Sequence, residues 1–193
     1  MKFRISIFLL IFSTSCLAQL PDQDVLDLKS GRIKDDTSYV YWLPYENGKS
    51  YFLAQAANSK MSHKNELSLD FKMKKGSKIC AAREGVVIEA RADSDKGGLK
   101  EENLADGNYI IIRHDDGSIA NYWHLDKDGV FVTVGSYVTK GQTIGSSGNT
   151  GYTAFPHLHF QVNDDSGKQI MIRFHSKKGD IYLRPGKWYR GVH

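Results

Sequence analysis

From Tyr41 onward, short runs of apolar, β-branched and aromatic residues alternate with glycine or Asn/Asp turns. The runs occupy residues 51–54, 85–90, 108–113, 119–124, 129–132, 157–162 and 169–174. Runs of this length, separated by turn signals, predict β-strands, and no window keeps the apolar stripe of an amphipathic helix. The predicted class is all-β, an antiparallel sandwich or barrel-like core. Asp115-Asp116-Gly117-Ser118 lies between two runs and predicts a hairpin turn. Residues 91–107 are acid-rich and poor in apolar side chains, which predicts a long surface loop. Residues 19–40 are polar without a period and predict a lead-in. Residues 176–193 predict a basic C-terminal tail, leaving 41–175 as the folded domain.

The first 18 residues follow a different pattern. Lys2 and Arg4 precede an apolar stretch over residues 5–12, and small residues Ser15, Cys16 and Ala18 follow it. A basic start, a short apolar segment and small residues at a cut are the parts of a secretory signal peptide. The stretch is shorter than the roughly 20 residues a membrane-spanning helix needs. Cleavage after Ala18 is the expected event and lipidation of Cys16 the rival. Either implies export, to the periplasm or the medium, with an outer-membrane lipoprotein as the lesser alternative.

Composition narrows the function. Loss of Lys2 and Arg4 with the leader reduces the formal charge from +4 to +2, with lysines and acids interspersed. That balance does not suggest nucleic-acid binding. Of the two cysteines only Cys80 would remain, so no internal disulfide can form and the exported fold must rest on its hydrophobic core.

The chemistry-bearing residues are histidines and one acid. In Pro156-His157-Leu158-His159-Phe160, strand alternation puts His157 and His159 on one face and Leu158 and Phe160 on the other. Same-face neighbours lie about 7 Å apart along a strand, a long reach for two imidazoles to share one ion at about 2.0–2.1 Å each. The pair therefore reads as one ligand beside one neighbour, or as two solvent-facing histidines on an ordinary amphipathic strand. His124 ends another run, and Asp70 is lodged between Leu69 and Phe71, where a carboxylate is costly unless paired, hydrogen-bonded or bound to metal. His63 and Glu66 lie upstream as further nitrogen and oxygen donors. An imidazole and carboxylate inventory without thiolate suits a catalytic zinc, with leftover histidines for proton transfer and oxyanion stabilisation.

The other conspicuous residues read more plainly. His114 predicts an exposed strand end, His175 and His193 solvated positions in the tail, and Cys80 a buried small hydrophobe. The turn over residues 146–151 is placed below His157 in the cleft. Tyr122, Trp123 and Phe155 are read as cleft or core.

The stretch from about Ser62 to Val162 resembles the catalytic domain of the M23 family of zinc metallopeptidases, the LytM- and lysostaphin-like endopeptidases. The matching pieces are residues 68–71, 82–87, 108–114, 122–125, 135–145, 147–151 and 156–160, in order and at the same spacing. The resemblance implies a β-sandwich or barrel-like core of the LytM/lysostaphin type, with long loops around a zinc cleft. It implies zinc as cofactor, peptidoglycan peptides as substrate, Asp70 and His159 as metal ligands, and His124 and His157 as catalytic residues beside the metal. This chain departs from the usual His-x-x-x-Asp pattern. Glu66 stands four residues before Asp70, and His63 seven. Parity favours Glu66, which shares a face with Ser68 and Asp70 in an extended run, whereas zinc chemistry favours imidazole. The expected set is His63, Asp70 and His159, with Glu66 as the rival. A non-catalytic module that binds the wall or activates a wall amidase is the alternative function. A carrier domain of the lipoyl or biotinyl kind would need a lysine at the Asp115–Ser118 tip, which has none.

Overall fold

The computed structural model describes residues 39–57, 63 and 66–193. The apolar leader and the lead-in up to residue 38, with the candidate cleavage and lipidation positions, lie outside the described residues. Among the described residues no helix is long and apolar enough to cross a membrane.

The chain is built from short strands: β1 (Val40–Tyr41), β2 (Ser50–Gln55), β3 (Leu69–Lys72), β4 (Lys78–Cys80), β5 (Gly85–Arg91), β6 (Gly97–Gly98), β7 (Tyr109–Arg113) and β8 (Ile119–Trp123). They continue as β9 (Leu125–Val130), β10 (Tyr137–Val138), β11 (Thr143–Ser147), β12 (Gly151–Tyr152), β13 (His157–Asn163), β14 (Arg173–Phe174) and β15 (Lys187–Arg190). One 3-10 helix, Glu101–Asp106, interrupts them within the acid-rich stretch. Eight strands form an antiparallel sheet in the order β10-β5-β7-β8-β13-β3-β2-β15, and β4-β11-β9 form a second sheet. Two parallel pairs, β1 with β14 and β6 with β12, tie down the periphery.

Period-2 alternation explains why these segments are strands and where the core sits. On β13, Leu158, Phe160 and Val162 are buried, joined by Ile110 and Ile112 of β7, Tyr122 of β8 and Phe71 of β3. Ile79, Leu125 and Ile144 of the smaller sheet belong to the same core. Each such side chain contributes about 1.5–3 kcal/mol by leaving water. Because the odd-numbered positions of β13 face away from this core, that strand is free to carry polar groups on its other side. The β7–β8 hairpin forms at the expected turn, closed by the His114 amide donating to the Ser118 carbonyl at 2.8 Å.

Two expectations need correction. His114 is buried, not an exposed strand end, and its Nδ1 lies 2.7 Å from the Glu84 carbonyl oxygen. The cause is Gly85: a Cβ there would stand 2.4 Å from the Arg113 carbonyl and 3.0 Å from His114 Nδ1, so only glycine lets the backbones close over the ring. Burial in turn pushes the His114 imidazole pKa down. The C-terminal residues do not form a solvated tail. Lys187–Arg190 add β15 to the edge of the large sheet against β2, and Leu183 is buried. His193 stacks on Trp42 with ring centroids 4.5 Å apart, while His175 is exposed and paired with Asp180 at 3.3 Å. Four residues with charged ends make too short a run to announce a strand, yet charged ends suit an edge. Of the two places open to Tyr122, cleft or core, it takes the core, and its hydroxyl oxygen accepts the Ala82 amide at 2.9 Å.

Tyr122→Phe keeps the ring and removes the acceptor, leaving the Ala82 N–H buried and unpaired. The expected cost is about 1–3 kcal/mol, read in urea as a lower midpoint at unchanged slope. An unchanged midpoint would mean that water reaches this amide.

Candidate active site

The site is built where β3 and β13 run side by side. Their register sets Asp70 directly across from His159, and strand alternation turns both away from the core that holds Leu69, Phe71, Leu158 and Phe160. Asp70 is nonetheless buried, and its carboxylate is surrounded. His159 Nδ1 lies 3.0 Å from Oδ1, His63 Nε2 lies 3.1 Å from Oδ2, and His157 Nε2 lies 3.5 Å from Oδ1. Gln55 donates to Oδ2 at 2.8 Å. A β-bulge between Leu53 and Gln55 puts Gln55, instead of the next residue in phase, opposite Asp70.

On the other side of β13, His124 sits at the junction of β8 and β9 with φ of 64°, a left-handed conformation that a non-glycine residue adopts at some cost. It is held there from two sides. The Gly148 amide donates to the His124 carbonyl at 2.9 Å, and His124 Nδ1 donates to the Thr150 carbonyl at 2.7 Å. Gly148 is required for this approach, since a Cβ there would lie 2.5 Å from the Asp126 backbone. The turn over residues 146–151 thus shapes the cleft beside His157, to which Gly148 is bridged. His157 Nδ1 in turn donates to the Phe155 carbonyl at 2.8 Å. A carbonyl only accepts, so both rings carry a proton on Nδ1, and Nε2 is the nitrogen left to exchange a proton, at His157 beside the Asp70 carboxylate.

Electrostatics separate the groups. Burial would push Asp70 up, but hydrogen bonds from His159 and His63 outweigh it and hold the carboxyl well below its usual range. Burial would push His63 down, but the Asp70 hydrogen bond and charge outweigh it, and its pKa rises. Burial lowers His157, and burial together with the nearby His157 and His159 rings pushes His124 down to about 3.

Among the described residues, two sets of three side chains bring possible ligand atoms within 4.8 Å of one another: His63, Asp70 and His159, and His124, His157 and His159. The first fits a divalent cation better. It contains an anion to offset the charge, and its two imidazoles flank that carboxylate, His159 at Oδ1 and His63 at Oδ2. Glu66 lines the same cleft but lies outside both sets, with Ser68 Oγ 3.4 Å from its carboxylate.

These groups border a cavity of about 640 Å³. Trp123 and Phe155 line it, as do Leu99, Leu104 and Tyr152. The sequence pattern does not point to Gln55, because without the bulge its parity would turn it to the core. Thr150 is equally hidden, since it acts through its backbone oxygen.

Comparison with known proteins identifies the family. The model of peptidase family M23 matches residues 64–171. Over 93 residues the chain is 36% identical to the peptidoglycan DD-endopeptidase ShyA of Vibrio cholerae and 40% identical to lysostaphin of Staphylococcus staphylolyticus. Each match covers 48% of this chain but only 19% and 17% of those proteins, so the chain spans about a fifth of their length. Among solved structures, a zinc-containing peptidase from Vibrio cholerae superposes with a TM-score of 0.51 at 26% identity, over 67% of this chain and 38% of that one. With the family model covering more than half of the chain, this protein belongs to peptidase family M23, a family of metallopeptidases.

Proposed function

We propose that this chain is an exported zinc endopeptidase that hydrolyses peptide bonds in bacterial cell-wall peptidoglycan. The observation that carries the reading is a buried, anionic Asp70 ringed by imidazoles at the side of an open cleft, with two further histidines anchored through Nδ1. His63, Asp70 and His159 are the proposed metal ligands. The similarity to wall endopeptidases supports the substrate class, and the apolar leader supports export. The non-catalytic module is not favoured, given the family match and the complete set of titratable residues around Asp70.

The bound metal would supply Lewis acidity at the scissile carbonyl and acidify a water. The chain's own residues manage the proton. His124 and His157, each protonated on Nδ1 and able to take a proton on Nε2, accept the proton of the attacking water and return it to the leaving amine. Once protonated, either ring donates to the developing oxyanion. Water adds across the C–N bond, leaving a carboxylate and an amine. Gln55 keeps Asp70 oriented from behind.

Residues 19–193, purified with metal present, should hold about one zinc per chain by elemental analysis. His63→Ala, Asp70→Ala and His159→Ala should lose it, and Glu66→Ala should keep it. Retention in His63→Ala with loss in Glu66→Ala would transfer the third ligand to Glu66. His124→Ala should retain zinc and lose about 10²–10⁴-fold in kcat on purified peptidoglycan; full activity there would overturn its role. The mass of the exported protein should match a chain beginning at Gln19, whereas a lipid adduct on Cys16 would put the protein on a membrane.

A pH test follows from the depressed His124. In the metal-free chain its imidazole resonances should stay those of a neutral ring from about pH 8 to about pH 5. Because the folded pKa lies below the unfolded value, this group's contribution to stability is complete above about 6.5 and declines as pH falls, by at most ~1.4 kcal/mol per pH unit. A ring titrating near 6.5 would mean that solvent reaches it freely.

A further inference from the structure

The face of the large sheet that carries the histidines continues past the cleft. Register pairs His157 of β13 with Lys72 of β3, Lys72 with Phe52 of β2, and Phe52 with Trp188 of β15. Residues directly opposite on antiparallel strands share a face. Lys72 stands two positions from Asp70 on β3, so this row lies on the face that holds Asp70 and His159. Trp188 is 69% exposed, with its ring centroid 5.8 Å from that of Phe52. Lys72 makes no ion pair among the described residues, and its Nζ stands 5.8 Å from the centroid of the Phe155 ring, itself 5.1 Å from the His157 ring. Phe155 and Gln55 line the cavity, so the row borders the cleft already described.

The outer strand of this row is anchored from its other side. Tyr45 donates to the Tyr189 carbonyl at 2.9 Å, the Arg184 amide donates to the Tyr189 hydroxyl at 2.7 Å, and the Gly191 amide donates to the Lys49 carbonyl at 2.9 Å. A large indole is thus held in water on a fixed strand. Phe52 and Trp188 both lie outside residues 64–171, the segment that the family model matches. The charge beside them is positive: Lys72 stands within the row, and Arg190, two residues after Trp188, shares its face. From His157 to Trp188 is three strand spacings, about 14 Å, the length of about four extended residues.

We propose that Trp188 and Phe52 form a platform for a sugar ring of the wall polymer, with Lys72 receiving a carboxylate of the peptide that runs from that sugar to the scissile bond beside His157. This rests on the peptidase reading above and adds a binding site to it. A pyranose ring presents an apolar face of C–H groups, which a rigid indole desolvates at low entropic cost while the sugar hydroxyls stay in water. The cations on this face match a peptide whose free carboxylates leave it anionic. The spacing lets one ligand meet the platform and the histidines together.

The test compares a cross-linked dimer of disaccharide-peptides with the same cross-linked peptides freed of sugar, using zinc-loaded residues 19–193. The wild-type chain should cleave the sugar-bearing dimer with about 10-fold higher kcat/KM. Trp188→Thr removes the ring yet keeps a residue suited to a strand. It should abolish most of that advantage, and Trp188→Phe should keep most of it. Lys72→Gln should lower kcat/KM on both substrates about 3-fold, with Lys72→Arg restoring it. Equal kcat/KM on the two substrates, an equal loss on both in Trp188→Thr, or unchanged rates in Lys72→Gln would overturn the proposal. If the wild type cuts neither substrate, the peptidase reading fails, and binding of peptide-free saccharide strands then decides the platform by itself. Binding weakened about 10-fold in Trp188→Thr would support it; absent or unchanged binding would sink it.

Discussion

The Asp70 carboxylate is the interaction on which the site depends. An isolated buried carboxylate is prohibitive, and this one is tolerated because His63, His159 and Gln55 all reach it. Each partner comes from a different part of the chain. His159 arrives through the β13–β3 register, Gln55 through a bulge in β2, and His63 from the segment before β3. Removing His63 or His159 takes away a charge partner, and removing Gln55 leaves Oδ2 one donor short. The same cluster therefore serves as a structural junction and as a proposed metal site.

The rest of the fold supplies rigidity around that point. Leu158 and Phe160 fix β13 from below, so His157 and His159 have no freedom to drift. With Leu69 and Phe71 doing the same for β3, the pairing of His159 with Asp70 becomes a consequence of core packing. A one-residue slip of β13 would expose Leu158 and Phe160 and bury both histidines, which is why the register is strongly specified.

How much of this was legible follows from what carries each feature. Alternation made the β13 histidine pair readable, and an acid between two core residues made Asp70 readable. The all-β class and the hairpin at Asp115–Ser118 were equally legible in local pattern. Features made by two distant backbones were not. His114 is buried because Gly85 admits a neighbouring strand, Gln55 reaches Asp70 through a bulge, and β15 exists because β2 offers an edge.

His124 shows how the strain is maintained. A left-handed histidine costs about 1–3 kcal/mol, and it persists only because its surroundings leave no alternative. Gly148 donates to its carbonyl, Thr150 accepts from its ring, and Thr150 Oγ1 is itself tied to the Leu125 carbonyl at 2.7 Å and to the Asn108 amide at 3.0 Å. The glycine-rich turn is thus a mould, shaped by backbone groups around one imidazole. Such a mould fixes the tautomer as well as the position, since the Thr150 carbonyl accepts only from Nδ1–H. The disfavoured backbone conformation and the proton placement that the proposed acid–base role requires are therefore set by the same glycine-rich turn.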